Sequence, residues 1–146
     1  MNTRTSSFRP EMTAEVFNAR SPGHLPGLVG VAVLKITPES FESRLAVHKA
    51  LMAPNGFLHA ATIVALADTS CGYACVTHLP QGSSGFTTIE LKANFLGTTR
   101  EGAIFCRATP AHLGRTTQVW DAVVSIEGSE KKIAIFRCTQ MVLWPK

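Results

Sequence analysis

Charged residues are scarce in this chain, at 16% of its 146 residues, and its net charge is only +4. No stripe of Lys and Arg with interleaved aromatic residues is present, which argues against nucleic-acid binding. Internal repeats, low-complexity segments and linkers are also missing. A hydrophobic content of 45% is sufficient for an ordered core, so we expect one domain over residues 1–146, with 1–27 as a lead-in segment. The low charge also fits a protein that hides surface in an oligomer.

Signals for export and for metal binding are missing as well. The first ten residues, MNTRTSSFRP, contain no apolar core of a secretory signal. The four cysteines form no CxxC pair, and the His and acidic residues show no convergent ligand spacing. We therefore expect a cytoplasmic protein with reduced thiols and no bound metal.

One long apolar run organises the chain. It extends from Leu58 to Thr77, and Asp68 is its only charged residue. Alanine-rich sequence without proline favours a helix. The length is near that of a membrane span, but a central aspartate is costly in lipid and the flanks lack basic or aromatic anchors. We expect a buried core helix and no membrane association.

The rest of the chain has the pattern of strands. A short helix is predicted over Met12–Asn18, followed by an irregular segment over 21–30. On the third strand, Ile89, Leu91 and Ala93 are expected to share one face. The predicted fold class is α+β, with an antiparallel sheet of about six strands curled around one long central helix. The predicted strands are Val29–Ile36, Ser40–His48, Phe86–Phe95, Glu101–Thr109, Thr116–Ile126 and Lys132–Leu143.

A carboxylate inside an apolar helix needs an explanation, because burying it without partners is costly. Asp68 must find donors, bind an ion or take part in chemistry. The alternative is a hydrogen bond to Thr69 or Ser70, or a position on a wet edge of the helix.

His59 lies at the predicted helix start, where the amides of Ala60 and Ala61 have no partner within the helix. Such amides, at the positive end of the helix dipole, can hold an oxyanion. Nine residues separate His59 from Asp68, which is about 14 Å along the axis and on opposite faces. Two antiparallel helices related by a two-fold axis would place Asp68 of one subunit near Ala60 of the other.

These residues carry a resemblance to a known family. The segment Asn55–Ala61, followed by Ala65–Asp68, is similar to the signature of hotdog-fold acyl-CoA thioesterases. The group concerned includes the phenylacetate-pathway and 4-hydroxybenzoyl-CoA thioesterases. Ile89–Phe95 resembles the family's third strand, and Ala111–Trp120 resembles the hairpin between the next two. The similarity covers roughly 27–143.

The resemblance implies hydrolysis of an acyl-CoA by a homodimer, with dimers commonly paired into tetramers. Coenzyme A is then part of the substrate, and no separate cofactor is expected. Asp68 of one subunit would activate water or attack the thioester directly, while the Ala60 amide of the other holds the acyl oxygen. His59 would orient the loop or the thioester. In the same loop, Asn55 and Gly56 complete the predicted site.

The sequence departs from the family pattern in two places. Ala60 and Ala61 replace two glycines, which keeps the amides but adds methyl groups beside them. Ala53 replaces a family Asn or Gln, and Asn55 lies two residues away. Thr88 matches a Ser or Thr that positions water or substrate in some relatives; the alternative is an ordinary β-branched strand residue.

Three basic residues at predicted turns, Arg100, His112 and Arg115, are candidates for contacts with the phosphates of coenzyme A. Gly114 would let the backbone approach that ligand. The alternative for each basic residue is a solvated surface. The small residues together with Phe17, Phe57 and Phe86 suggest a small aromatic or medium-chain acyl group. Two other functions stay open: an acyl-thioester dehydratase or hydratase with the same fold, and a non-catalytic acyl-CoA-binding protein.

Overall fold

Three helices, six strands and one 3-10 turn make up the described part of the chain, residues 7–146 of a computed structural model. The helices are α1 (Ala14–Arg20), α2 (Leu25–Val29) and α3 (Ala60–Thr77), and the 3-10 turn is Lys49–Leu51. The strands are β1 (Val31–Ile36), β2 (Phe41–Ala46), β3 (Gly85–Phe95), β4 (Ala103–Leu113), β5 (Thr117–Ile126) and β6 (Lys132–Leu143).

The six strands form one antiparallel sheet in the order β1-β2-β4-β5-β6-β3. The long helix α3 packs across the inner face of this sheet and contacts every strand. The predicted α+β architecture is therefore confirmed. Strands β1 and β3 are the two edges of the sheet, so the outer edge of β3 has no neighbour within the described residues.

Helix α3 is buried because its sequence is apolar on nearly all sides. Ser70, a polar residue of this helix in the core, has two partners: its hydroxyl lies 2.7 Å from the Leu66 carbonyl and 2.6 Å from the Ser43 hydroxyl. Among the described residues, α3 is the one helix long and apolar enough to cross a membrane, and 56% of that stretch is buried inside the protein. The burial is that of a core helix.

Three local predictions need correction. The segment predicted to be irregular contains α2, which has Pro26 in its first turn, where proline is tolerated, and ends at Gly30 with φ +86°. Strand β4 begins two residues after Glu101 and continues to Leu113. Ile89 does not share a regular register with Leu91, because a bulge lies between Thr88 and Glu90.

Candidate active site

The start of α3 is capped by the side chain of His59. Its Nδ1 accepts a hydrogen bond from the Ala61 amide at 2.9 Å, and its carbonyl accepts from the amides of Thr62 and Ile63. Because Nδ1 accepts, the neutral imidazole carries its proton on Nε2. His59 is exposed, and no hydrogen-bond partner of its Nε2 is found among residues 7–146.

The cap leaves one amide of the first turn free. Of the two amides that the sequence predicted to be available, Ala61 is occupied by His59, which corrects that expectation. The Ala60 amide has no hydrogen-bond acceptor among the described residues. It lies at the exposed positive end of α3, where an amide can donate to a carbonyl or an oxyanion.

Asp68 is half-buried, and its Oδ1 is a fully buried oxygen with no hydrogen-bond partner among residues 7–146. The alternative pairing with Ser70 is wrong, because the Ser70 hydroxyl bonds to Leu66 and Ser43. Burial without compensating donors raises the pKa of Asp68 above its ordinary value. An unsatisfied carboxylate oxygen in a native structure calls for a functional explanation, and a raised pKa suits a general base.

The raised pKa predicts how stability depends on pH. The folded protein binds the Asp68 proton more tightly than the unfolded chain, so the stabilisation is complete below the ordinary pKa of 3.8 and is lost as the pH rises through the folded-state pKa. Relative to Asp68→Asn, the free energy of unfolding of the native protein should therefore fall as the pH increases above about 4. Urea unfolding of both proteins between pH 4 and pH 7 measures this; a difference independent of pH would contradict the burial of a titrating carboxyl.

Thr88 lies on β3 directly opposite Gln140 of β6. Its hydroxyl donates to Oε1 of Gln140 at 2.8 Å, and the Gln140 amide donates to Sγ of Cys138 at 3.3 Å. Gln140 is fully buried, so this chain fixes the hydroxyl of Thr88 and leaves its oxygen lone pairs to accept a hydrogen bond from water or substrate.

The loop before α3 is held in a defined conformation. Asn55 Oδ1 accepts from the Phe57 amide at 3.2 Å, and Gly56 has φ +84°, a value that favours glycine. Arg100 donates from Nε to the Gly56 carbonyl at 2.9 Å and lies over the Phe57 ring. Asn55, Gly56 and Arg100 are thus brought together beside the helix start.

The two other predicted phosphate contacts, His112 and Arg115, lie at the β4–β5 hairpin. Arg115 packs over the ring of Trp144, with 4.3 Å to the centroid. Position 114 requires glycine for steric reasons, because a Cβ there would lie 2.6 Å from Nε2 of His112 and 2.8 Å from the Thr117 carbonyl oxygen. The hairpin is close to the far end of α3, because Gln118 donates to the carbonyl of His78.

One protomer therefore does not bring all predicted residues together. Arg100 and the Ala60 amide lie at the start of α3, whereas His112, Gly114 and Arg115 lie near its end, about 27 Å away for an 18-residue helix. A groove of about 350 Å³ opens at the helix start. Its lining is Phe57, Leu58, Ala60, Ile63, Phe95, Gly97 and Thr98.

No group of three or more His, Cys, Asp or Glu side chains within residues 7–146 is arranged to hold a metal ion. All four cysteines are buried and free. Burial raises the pKa of the Cys75 and Cys106 thiols to about 12, so neither is a thiolate nucleophile at neutral pH.

Comparison with known proteins identifies the family. Residues 55–133 match the family model of the thioesterase superfamily, and this range includes the helix start, Asp68 and Thr88. The chain belongs to the thioesterase superfamily. It is a hotdog-fold thioester hydrolase, as the sequence predicted.

Several relatives agree with this membership. A crystal structure of a thioesterase from Pseudomonas aeruginosa is 29% identical, with a TM-score of 0.88 and coverage of 93% of this chain and 97% of that one. A thioesterase from Haemophilus influenzae is 30% identical, with a TM-score of 0.84 and 90% of each chain covered. The 1,4-dihydroxy-2-naphthoyl-CoA hydrolase of Escherichia coli is 28% identical over 77% of this chain and 82% of its own.

Besides the cap formed by His59, two features on or near α3 were not predicted from the sequence. The bond between Thr88 and Gln140 depends on the register of β3 with β6, which pairs residues 52 positions apart. Gly72 lies in the interior of α3, where a glycine costs about 1 kcal/mol relative to alanine. That cost is a sequence signal for a packing requirement.

Proposed function

We propose that this thioesterase hydrolyses a small aromatic or medium-chain acyl-CoA at a site shared by two subunits. The observation that carries the proposal is the buried, unpartnered Oδ1 of Asp68, a half-buried residue of α3. In one protomer the unpaired Ala60 amide is eight residues away from Asp68 along the same helix. A second copy of the chain supplies the missing half.

The surface beside α3 supports a dimer. Leu91 and Phe95 of β3 are 43% and 46% exposed, although their cross-strand neighbours Cys138 and Ala134 are buried. These two residues lie on the inner face of the sheet, where the described part of the protomer covers them only in part. Long exposed edge strands pair readily with another chain. Two-fold pairing of β3 with its copy would extend the sheet and place the two α3 helices side by side and antiparallel.

In that arrangement each site combines complementary groups. The acyl oxygen accepts a hydrogen bond from the Ala60 amide, and the negative charge that develops on it is stabilised by the helix start. Asp68 of the partner helix takes a proton from water as the water attacks the carbonyl carbon; the C–S bond then breaks and the thiolate of coenzyme A leaves. In the alternative route Asp68 attacks directly and forms a mixed anhydride, which water hydrolyses. Thr88 accepts a hydrogen bond from the attacking water.

Antiparallel helices also bring the predicted basic residues at the two ends of α3 towards each other across the dimer. Arg100 of one subunit and the hairpin of the other, with His112 and Arg115, would then approach the same site. Cationic side chains bind phosphates through charge-assisted hydrogen bonds, so we assign them to the phosphates of coenzyme A. We also propose pairing of dimers into tetramers and a cytoplasmic location.

A panel of thioesters tests the proposal. Purified protein is assayed with acetyl-, butyryl-, octanoyl- and benzoyl-CoA, and release of free thiol is measured by a colorimetric thiol reagent. We expect the fastest turnover with benzoyl-CoA, the small aromatic member, or with octanoyl-CoA, the medium-chain member. Crotonyl-CoA, assayed for hydration of its double bond, addresses the dehydratase or hydratase alternative. Tight binding without thiol release from any member would instead indicate an acyl-CoA-binding protein.

A further inference from the structure

Gly72 lies one helical turn after Asp68 in α3, and a single aromatic ring covers it. A Cβ added at Gly72 would be 3.2 Å from Cζ and 3.6 Å from Cε2 of Phe86, and these are the only atoms from outside the helix within 4 Å. The tip of the Phe86 ring therefore rests directly on the helix backbone. Any side chain at position 72 would push this ring away.

Phe86 reaches this position from the start of β3. It lies opposite the buried Val142 of β6, two residues before Thr88, so its side chain projects from the inner face of the sheet. Phe86 itself is only half-buried. The ring thus stands between β3 and α3, with one part packed on Gly72 and another part open to the space beside the helix.

This position matters because of its distance from the proposed reaction centre. Four residues of helix separate Asp68 from Gly72, which is about 6 Å along the axis. The two residues are 40° apart around the helix, since four steps of 100° add up to slightly more than one full turn. Consider an acyl group whose carbonyl carbon lies beside the Asp68 carboxylate. If its chain extends towards the C-terminal end of that helix, it meets the Phe86 ring after about 6 Å.

We propose that Phe86, packed on Gly72, limits the size of the acyl group, so that a single aromatic ring or a medium-length chain is accepted in preference to longer chains and fused rings. The inference rests on the proposed thioester hydrolysis and adds to it the residue that sets substrate size. A flat ring packs favourably against another aromatic ring. A longer chain or a fused ring system would have to displace Phe86 from the helix, and a well-packed site resists such overfilling.

The test is a change of preference and not a change of overall rate. For Phe86→Ala we expect the ratio of kcat/KM for decanoyl-CoA to kcat/KM for butyryl-CoA to rise by about tenfold or more, the scale on which an apolar pocket discriminates by size. Gly72→Ala should change the ratio in the opposite direction, because its methyl group forces the ring outwards into the site. Phe105→Ala is the matched control: it removes the same side chain from β4, where the buried neighbours Ile104 and Cys106 place Phe105 on the outer face, and it should leave the ratio unchanged.

Other outcomes are equally decisive. If Phe86→Ala lowers kcat/KM for all thioesters by the same factor, the ring serves packing only and the inference is wrong while the hydrolase remains. Should Phe86→Ala fail to fold, Phe86→Leu keeps most of the packing and should still raise the ratio. If the native protein hydrolyses no thioester, the proposed function fails by itself. The inference is then tested by calorimetric binding of S-butyl- and S-decyl-coenzyme A, of which Phe86→Ala should favour the longer.

Discussion

Asp68→Asn should lower kcat for thioester hydrolysis by about 10³-fold, within the range for loss of a general base or nucleophile. The amide has nearly the same shape as the carboxylate but cannot take a proton from water or form an anhydride. The substitution also removes a carboxylate whose Oδ1 is buried without a partner, so the variant should be at least as stable as the native protein at neutral pH. Thiol release from the best substrate measures the loss, and thermal unfolding and light scattering establish that fold and oligomer are retained.

The control is a carboxylate of the same type placed elsewhere. Asp121 lies on β5 and forms an ion pair with Arg137 on the exposed side of the sheet, where the arginine lowers the pKa of the aspartate. Asp121→Asn should leave kcat and KM within about twofold of the native values, since surface ion pairs contribute little. If Asp68→Asn keeps native turnover, the assignment of Asp68 is refuted, whatever the identity of the substrate.

The same carboxylate shows how far the sequence alone could lead. A single charge in a long apolar run is a local signal, and it correctly indicated a buried helix with an aspartate that needs an explanation. The strands in which apolar and polar residues alternate could also be predicted from the sequence. The irregular lead-in was the exception, because α2 has only five residues and so short a helix depends on packing more than on propensity.

What could not be predicted depends on contacts between distant segments. The register of β3 with β6 decides that Thr88 meets Gln140, and the bulge at Ile89 changes which side chains face inwards. A bulge shifts register by one residue without a reliable sequence signature. The cap formed by His59 was likewise unpredicted, since histidine is not among the favoured N-cap residues. Because the His59 side chain accepts from the Ala61 amide, the Ala60 amide is the one of the two that remains to bind an oxyanion.

Ala60→Pro provides a test of that single amide. Ala60 is the first residue of α3, a position where proline is favoured because its missing N–H has no partner within the helix. His59 has φ −63° and ψ 134°, a conformation that a following proline accepts. The variant therefore removes the proposed oxyanion donor while the helix is retained. We expect a loss of about 10²- to 10³-fold in kcat, typical for deletion of one oxyanion donor, with little change in thermal stability.

The matched control is Ala60→Gly, which keeps the amide and should remain active. Ala61→Pro is not an equivalent control, because it would remove the hydrogen bond to His59.

Ala60→Pro and Asp68→Asn together test whether the site is shared between subunits. In a dimer with one subunit of each kind, one site combines the intact Ala60 amide of the Asp68→Asn subunit with the intact carboxylate of the Ala60→Pro subunit, and the other site has neither group. Random reassembly of equal amounts makes half of the dimers mixed, so activity should recover to about one quarter of the native value. Each variant alone stays nearly inactive under the same unfolding and refolding, which controls for the procedure. If both groups act within one subunit, every site in the mixture carries one defect and no activity returns. Recovery thus requires that one chain supplies the amide and another the carboxylate, which is the arrangement that the exposed edge of β3 and the unpartnered Asp68 lead us to expect.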